Sequence, residues 1–387
     1  MVLSSCLTLL YCNENKEILI DEWWQWLLTM QDKIILDRHL HLAQKVLVVD
    51  GLIGGGKYLV SSILSALPNV ECFSDGTQIQ QVCALSYLKK TTPDAAQLLI
   101  QHWTDNDVYD AYVGRGANVR FADLSSIWHH RDKWTHIKRL LRKYQPLEHE
   151  RFVREIINKK PILNIMTHAV TSTARPLFDA LGERLVFVRV VRHPSTKYML
   201  EHLSNWTEKW KDDKRAGMIQ HRKIIDGKRC PPVPYAALGY EDEYISGSTV
   251  DRSIILLQHW QKQGDQIVDR IKAESGSTII EIPYEKFVFE PMVYINSVAS
   301  ALGITPDKKT KKEMKKQNVP RNSLTDAPES KLYRRYGWTP PDSHSPSIDE
   351  ELKIGRSYAL KKSSESVMEI FDQISDDYYK RYLDPNV

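Results

Sequence analysis

Apolar residues are distributed unevenly along the chain, and three runs have the character of strands. Lys45-Val-Leu-Val-Val-Asp50, Pro161-Ile-Leu-Asn-Ile-Met166 and Arg184-Leu-Val-Phe-Val-Arg-Val-Val191 are short and dominated by β-branched or other apolar residues, the pattern of strands covered on both faces. Thr278-Ile-Ile-Glu-Ile282 predicts a fourth. Helical periodicity fills much of the remainder: Tyr58 to Leu67, ended by Pro68, a segment through Trp206 and Trp210, then 250 to 273, 291 to 302 and 348 to 382. The stretch 76 to 160 is amphipathic and helical, with no strand period. It is too long for a single crossover and predicts a helical insertion able to cover a site. Residues 1 to 44, with Trp23, Trp24 and Trp26 beside Ile34, Ile35 and Leu40, predict a helical appendage. Asp226 to Ser248, rich in Pro, Gly and Tyr, predicts a mobile, lid-like loop. Strands alternating with helices imply an α/β fold of three layers, α/β/α, around a central, mostly parallel sheet.

Composition narrows the class. The 387 residues are 42% hydrophobic and 26% charged, which suits a globular chain with a full core and excludes disorder. No apolar run reaches the roughly 18 residues of a membrane helix, so no membrane span is expected. The apolar Val2 to Cys12 has no basic residue before it and runs into Asn13-Glu14-Asn15-Lys16, and reads as an ordinary first element, not a signal peptide. With 53 Lys+Arg against 49 Asp+Glu, bulk charge gives no reason to expect a nucleic-acid partner, and any anion site must be local. The five cysteines, Cys6, Cys12, Cys72, Cys83 and Cys230, show no CxxC or paired metal-ligand spacing. Neither a disulfide framework nor a metal site is expected, and a reducing, cytoplasmic setting fits best.

Local anion chemistry is visible directly after the first strand. Gly51 and Gly56-Lys57 satisfy the P-loop spacing G-x-x-x-x-G-K, with Gly54 and Gly55 inside, between a strand and a helix. Glycines let backbone N–H groups converge on a phosphate, the helix N-terminus adds partial positive charge, and lysine adds a full one. The plainer alternative is a tight strand-to-helix turn with a solvated lysine. Tyr58 stands where a P-loop NTPase carries the Ser or Thr that holds Mg²⁺, and no later strand is expected to end in the acidic residue of a metal-dependent NTPase. Two of the strands end instead in Thr167-His168 and Arg192-His193-Pro194.

A phosphate loop, a strand ending in Thr-His and a strand ending in Arg-x-Pro together resemble the sulfotransferases that use 3′-phosphoadenosine 5′-phosphosulfate (PAPS). His168 precedes Arg192 by 24 positions, and Ile279-Ile280-Glu281-Ile282-Pro283-Tyr284-Glu285, Glu290-Pro291 and Leu302-Gly303 resemble the family's C-terminal signature. The likeness covers about residues 45 to 303, with 76 to 160 and 211 to 250 unmatched. It implies a P-loop-type three-layer α/β/α fold: a helical N-terminal appendage at 1–44, a domain at 45–345 with the 76–160 insertion, and a helical C-terminal extension at 346–387. It further implies PAPS as co-substrate, adenosine 3′,5′-bisphosphate as product, His168 and Lys57 as catalytic residues, and a small-molecule, lipid or carbohydrate acceptor. The donor would be held by Gly51, Gly54, Gly55, Gly56, Lys57, Tyr58 and Arg192.

Departures from the family pattern are equally specific. Leu200 stands where a Ser normally follows the phosphate-binding arginine by eight positions, so either Ser195, Thr196 or Ser204 replaces it or the 3′-phosphate is held differently. Gly54 occupies the aligned position of the loop lysine, and Tyr58 that of a threonine. Tyr284 either packs on the adenine or caps the core. Arg334 and Arg335 either supply a basic loop over the 3′-phosphate or are solvated. Two rival readings remain, an ATP-dependent P-loop kinase, favoured by Lys57, and a non-catalytic nucleotide-binding protein, favoured by Leu200 and the altered loop.

Overall fold

The computed structural model describes residues 34–142, 148–210, 218–274, 277–324, 326, 334 and 347–384. The chain divides into two compact units between His39 and Leu40; the sheet and the site lie in the second. Most of the predicted appendage, and Arg335, fall outside the described residues.

Five strands form one sheet: β1 (Lys45–Gly51), β2 (Ser74–Asp75), β3 (Ile162–Met166), β4 (Leu185–Val191) and β5 (Thr278–Pro283), in the order β2-β3-β1-β4-β5. Every adjacent pair is parallel. The first strand is therefore central, as its uninterrupted apolar run requires. Its Leu47 and Val49 face a layer built on α1 (Lys57–Leu64) and α11 (Pro291–Leu302). Its Val46 and Val48 face the other layer, with α2 (Thr77–Tyr87), α3 (Pro93–Val113) and α6 (Arg175–Leu181). The three-layer α/β/α architecture follows from this double burial.

Further helices complete the chain: α4 (Lys133–Leu140), α5 (His149–Lys159), α7 (Lys197–Lys209), α8 (Glu241–Ser246), α9 (Thr249–Glu274), α10 (Tyr284–Phe289), α12 (Lys308–Lys316), α13 (Ile348–Leu360) and α14 (Glu365–Tyr378). As the sequence implied, the six lysines of α12 are exposed. The expected lid at 226 to 248 is corrected in part. Tyr235, Ala236, Ala237 and Tyr244 of that stretch are buried in a core cluster with Leu203 and Trp260, so aromatic side chains anchor much of a segment whose Pro and Gly content suggested mobility. The single helix expected at 348 to 382 is a pair, α13 and α14, followed by one wider turn at Tyr379–Leu383. The break falls in the polar Lys361–Ser364 stretch, where Ser364 N–H reaches the Asp251 carboxylate at 3.1 Å.

Parallel order with β1 in the middle fixes the place of any ligand. After β1 the chain moves outward past β3 to β2, and after β3 it crosses to the opposite side of β1. A crevice therefore opens at the carboxyl ends of β1, β3 and β4, the usual binding place in an open α/β sheet.

Candidate functional site

The glycine loop sits at that crevice. Gly54 and Gly56 have φ of +84° and +92°, a region that costs an L side chain strain. A Cβ at Gly56 would also lie 2.3 Å from the Tyr284 ring, so sterics and backbone both require glycine. Lys57 begins α1 and is 3% exposed. Its Nζ donates to Leu52 O at 3.2 Å. Burial lowers its pKa to about 8, against the opposing pull of Asp50 and Asp75, so the ammonium is still mostly charged at neutral pH.

Arg192, at the end of β4, reaches the same loop. Its Nη1 donates to Gly54 O at 3.1 Å, and its guanidinium carbon lies 4.3 Å from the Tyr284 ring centroid and 5.4 Å from that of Tyr198. Two cations thus rest on carbonyls of one glycine loop, two residues apart. A cavity of about 40 Å³ adjoins Arg192, its lining including Leu52, Ser172 and Trp260. Arg192 Nε, Ser172 Oγ and Trp260 Nε1 are buried and make no hydrogen bond. Buried donors without partners are costly, and a cavity of this size has room for a few waters to satisfy them.

His168 follows β3 and is half-buried. Its ring lies 6.1 Å from Tyr58. Burial, and then the Lys57 charge, hold its pKa well below the usual imidazole value, so it is neutral at pH 7 and able to accept a proton. The turn that carries it is built by Asp50, a residue the sequence reading did not single out. This carboxylate, fully buried at the end of β1, accepts from Thr167 Oγ1 at 2.8 Å, Val170 N–H at 2.9 Å, Thr171 N–H at 2.8 Å and Thr171 Oγ1. Ala169 takes φ +62° and donates its N–H to Gly51 O at 3.1 Å. Asp50 therefore ties the Thr-His turn to the start of the glycine loop. A carboxylate ending an otherwise apolar strand was the signal available for it.

His202 of α7 was also missed. Burial, and after it Lys57, Lys209 and Arg192, lower its pKa to about 4, which places a second neutral imidazole in the field of both loop cations.

The remaining expected residues divide. Tyr284 is 6% exposed, packs within the core beneath the loop, and its hydroxyl accepts from Arg321 Nη1 at 2.8 Å. Ser195 is buried, its Oγ hydrogen-bonded to Ser375 Oγ of α14 at 2.8 Å. A Cβ at Gly355 of α13 would stand 1.7 Å from Ser195 O, so that helix lies directly on the segment. Leu200 is completely buried in the core. Arg334 is exposed. The turn after β4 is instead secured by Glu285, which accepts from His193 N–H at 2.9 Å and Tyr378 OH at 2.7 Å.

One expectation is overturned. A strand after the loop does end in an acid: β2 ends in Asp75, exposed and close enough to Lys57 to act on its charge. Two residues of strand within a polar stretch carry no period to read.

No family profile matches the chain, and no curated protein does. Among solved structures it is similar to sulfotransferases. These include a sulfotransferase domain from the Synechococcus PCC 7002 olefin synthase (11% identity, 84% of this chain and 97% of that one, TM-score 0.34). They also include a Mycobacterium avium sulfotransferase (10%, 86% and 80%, 0.35) and a mouse sulfotransferase complexed with PAP (10%, 92% and 89%, 0.33). Superpositions this loose carry no argument about individual residues, so the functional reading rests on the site itself. No described helix is long and apolar enough to cross a membrane.

Proposed function

We propose that this chain is a sulfotransferase that uses PAPS and delivers to the hydroxyl or amine of a small-molecule, lipid or carbohydrate acceptor. The observation that carries the reading is the convergence of Lys57 and Arg192 on one glycine loop, with His168 within reach of the Lys57 field. The donor supplies an activated sulfuryl group. A bond forms between the acceptor heteroatom and sulfur as the bond from sulfur to the 5′-phosphate oxygen breaks. His168 takes the acceptor proton, as a neutral imidazole can at pH 7. Lys57 and the loop N–H groups stabilise the charge that collects on the departing phosphate oxygen. Arg192 faces the second phosphate, whose presence distinguishes adenosine 3′,5′-bisphosphate from AMP. No magnesium ligand is needed in this scheme, in keeping with Tyr58 after the loop lysine.

A second reading has one observation in its favour. Asp75 beside Lys57 would suit a P-loop phosphotransferase that positions a metal or a substrate hydroxyl, and its Oδ1 accepts from Thr77 Oγ1 at 2.8 Å. Calorimetric titration in EDTA separates the two. Adenosine 3′,5′-bisphosphate binding without metal and well above AMP, followed by transfer of labelled sulfate from PAPS, supports the sulfotransferase. ATP binding that needs Mg²⁺, with no preference for the 3′-phosphate, replaces it with the kinase.

A further inference from the structure

Away from the glycine loop, the segment leading into β2 meets the 124–140 part of the insertion. Cys72 Sγ lies 3.7 Å from His136 Nε2, across a sequence separation of 64 residues. His136 Nε2 lies 3.0 Å from His130 Nδ1, and all three atoms fall within 4.8 Å of one another. A tetrahedral zinc with ordinary bond lengths would set its nitrogens about 3.3 Å apart and sulfur to nitrogen about 3.6 Å apart. The three atoms are already near that arrangement.

The surroundings match what ligating histidines require. His130 and His136 are 9% and 7% exposed. His130 donates Nε2–H to Val70 O at 3.0 Å, which leaves the lone pair on Nδ1, the atom that faces the cluster. His136 turns Nδ1 toward Glu71 Oε2 at 3.9 Å, and Glu71 is itself fixed by Arg139 at 2.7 and 3.1 Å. A carbonyl and a carboxylate behind two imidazoles are the usual orienting groups of a metal site. A cavity of about 20 Å³, lined by Cys72, His129, His130 and Ser126 among others, adjoins the group and has room for one water.

We propose that Cys72, His130 and His136 bind a zinc ion, with a fourth position open to water from this cavity. Zinc is the ion that suits one thiolate and two imidazoles. Binding displaces the thiol proton of Cys72 to solvent, moves the His136 ring proton from Nε2 to Nδ1, which faces Glu71, and replaces two contacts at His130 Nδ1, the one from His136 and the one from Asp132 N–H at 3.2 Å. The ion clamps the insertion to the edge of the sheet, where β2 offers only the pairs Ser74–Ile165 and Asp75–Met166. Phe73, next to Cys72, packs edge-on to Tyr58 at 6.3 Å, so the clamp also supports the wall of the glycine-loop site. The assignment is independent of the transfer reaction.

The test uses the full chain without a histidine tag, stripped with chelator, given one equivalent of zinc and desalted, with metal counted by mass spectrometry. The wild type is expected to retain about one zinc per chain and to melt several degrees higher than the stripped protein. Cys72→Ser, a near-isosteric change, and His136→Gln should each weaken retention at least tenfold while the stripped variants keep the wild-type circular dichroism. Cobalt in place of zinc should show a thiolate charge-transfer band that is lost in Cys72→Ser. Less than about a tenth of an equivalent retained by folded wild type, or equal retention in both variants, overturns the proposal. If His136→Gln fails to fold, Cys72→Ser with cobalt decides alone.

Discussion

At the level of single residues, the proposed reaction rests on two groups whose burial shifts them in the same direction with opposite consequences. Lowering the pKa of His168 keeps its ring neutral, the form the proposed base needs, whereas lowering Lys57 to about 8 brings the loss of its charge within reach of mildly alkaline pH. The value of kcat/KM should therefore be flat only up to about pH 7 and be roughly halved near pH 8, where half of Lys57 is neutral. It should fall on the acid side only below the ordinary imidazole range, as His168 protonates, and on the alkaline side in a limb centred near 8, as Lys57 loses its proton. A pH profile with its acid limb at 6.5 or above would place the base elsewhere. Lys57→Ala should lower turnover about a hundredfold or more, in line with removing one preorganised electrostatic group, and should weaken donor binding as well. His168→Ala should lower turnover by 10² to 10⁴-fold yet leave adenosine 3′,5′-bisphosphate affinity nearly unchanged, because a base acts on the acceptor proton. Steady-state rates and calorimetry on the same preparations check both.

Among the elements, α13 and α14 have the largest unforeseen part. Together they close over the turn after β4: Gly355 against Ser195 O, Ser375 on Ser195 Oγ, and Tyr378 on Glu285, which in turn holds His193 N–H. Arg192 is thereby oriented from behind by the C-terminal pair. Gly355→Ala cannot be accommodated without moving α13 or the turn, since the obstacle is backbone. It should cost about 3 kcal/mol or more of stability and reduce nucleotide affinity without touching the loop. Denaturant unfolding and titration of the variant test the two effects, and an unchanged midpoint would mean the helix does not seat as described.

For the whole molecule, buried neutral histidines set the response to acid. His193, His202 and His259 are each lowered to about 4, with burial the first cause in every case, against an unfolded value near 6.5. Between those limits the unfolded chain binds protons that the folded chain refuses. Stability contributed by these rings is thus full above about 6.5 and is lost as pH falls toward 4. At a fully buried ring such as His193 a gap of that size is worth about 3 kcal/mol. Urea midpoints should drop steeply from pH 6.5 to 4.5, and His193→Gln should flatten part of that slope.

What the sequence alone determined is whatever depends on neighbours along the chain. Apolar runs at 45–50, 161–166, 184–191 and 278–282 specify four strands because strand formation needs only local β-branched character and double burial. The glycine loop, Lys57 and the Thr-His and Arg-x-Pro turns were legible for the same reason, each being a short segment placed at a strand end by its own spacing. Tertiary structure decided everything that depends on which segments meet. β2 is two residues long and exists because β3 lies beside it. Asp50 matters because its four donors come from beyond residue 166. The hold of α13 and α14 on the turn after β4, where Ser195 Oγ meets Ser375 Oγ, is likewise invisible along the chain. Cys72, His130 and His136 share no motif spacing, and only the packing of the insertion against the sheet edge brings sulfur and two nitrogens together. Local pattern reports what a segment can become, and burial and partnership, which set pKa and ligation, are properties of the folded contacts.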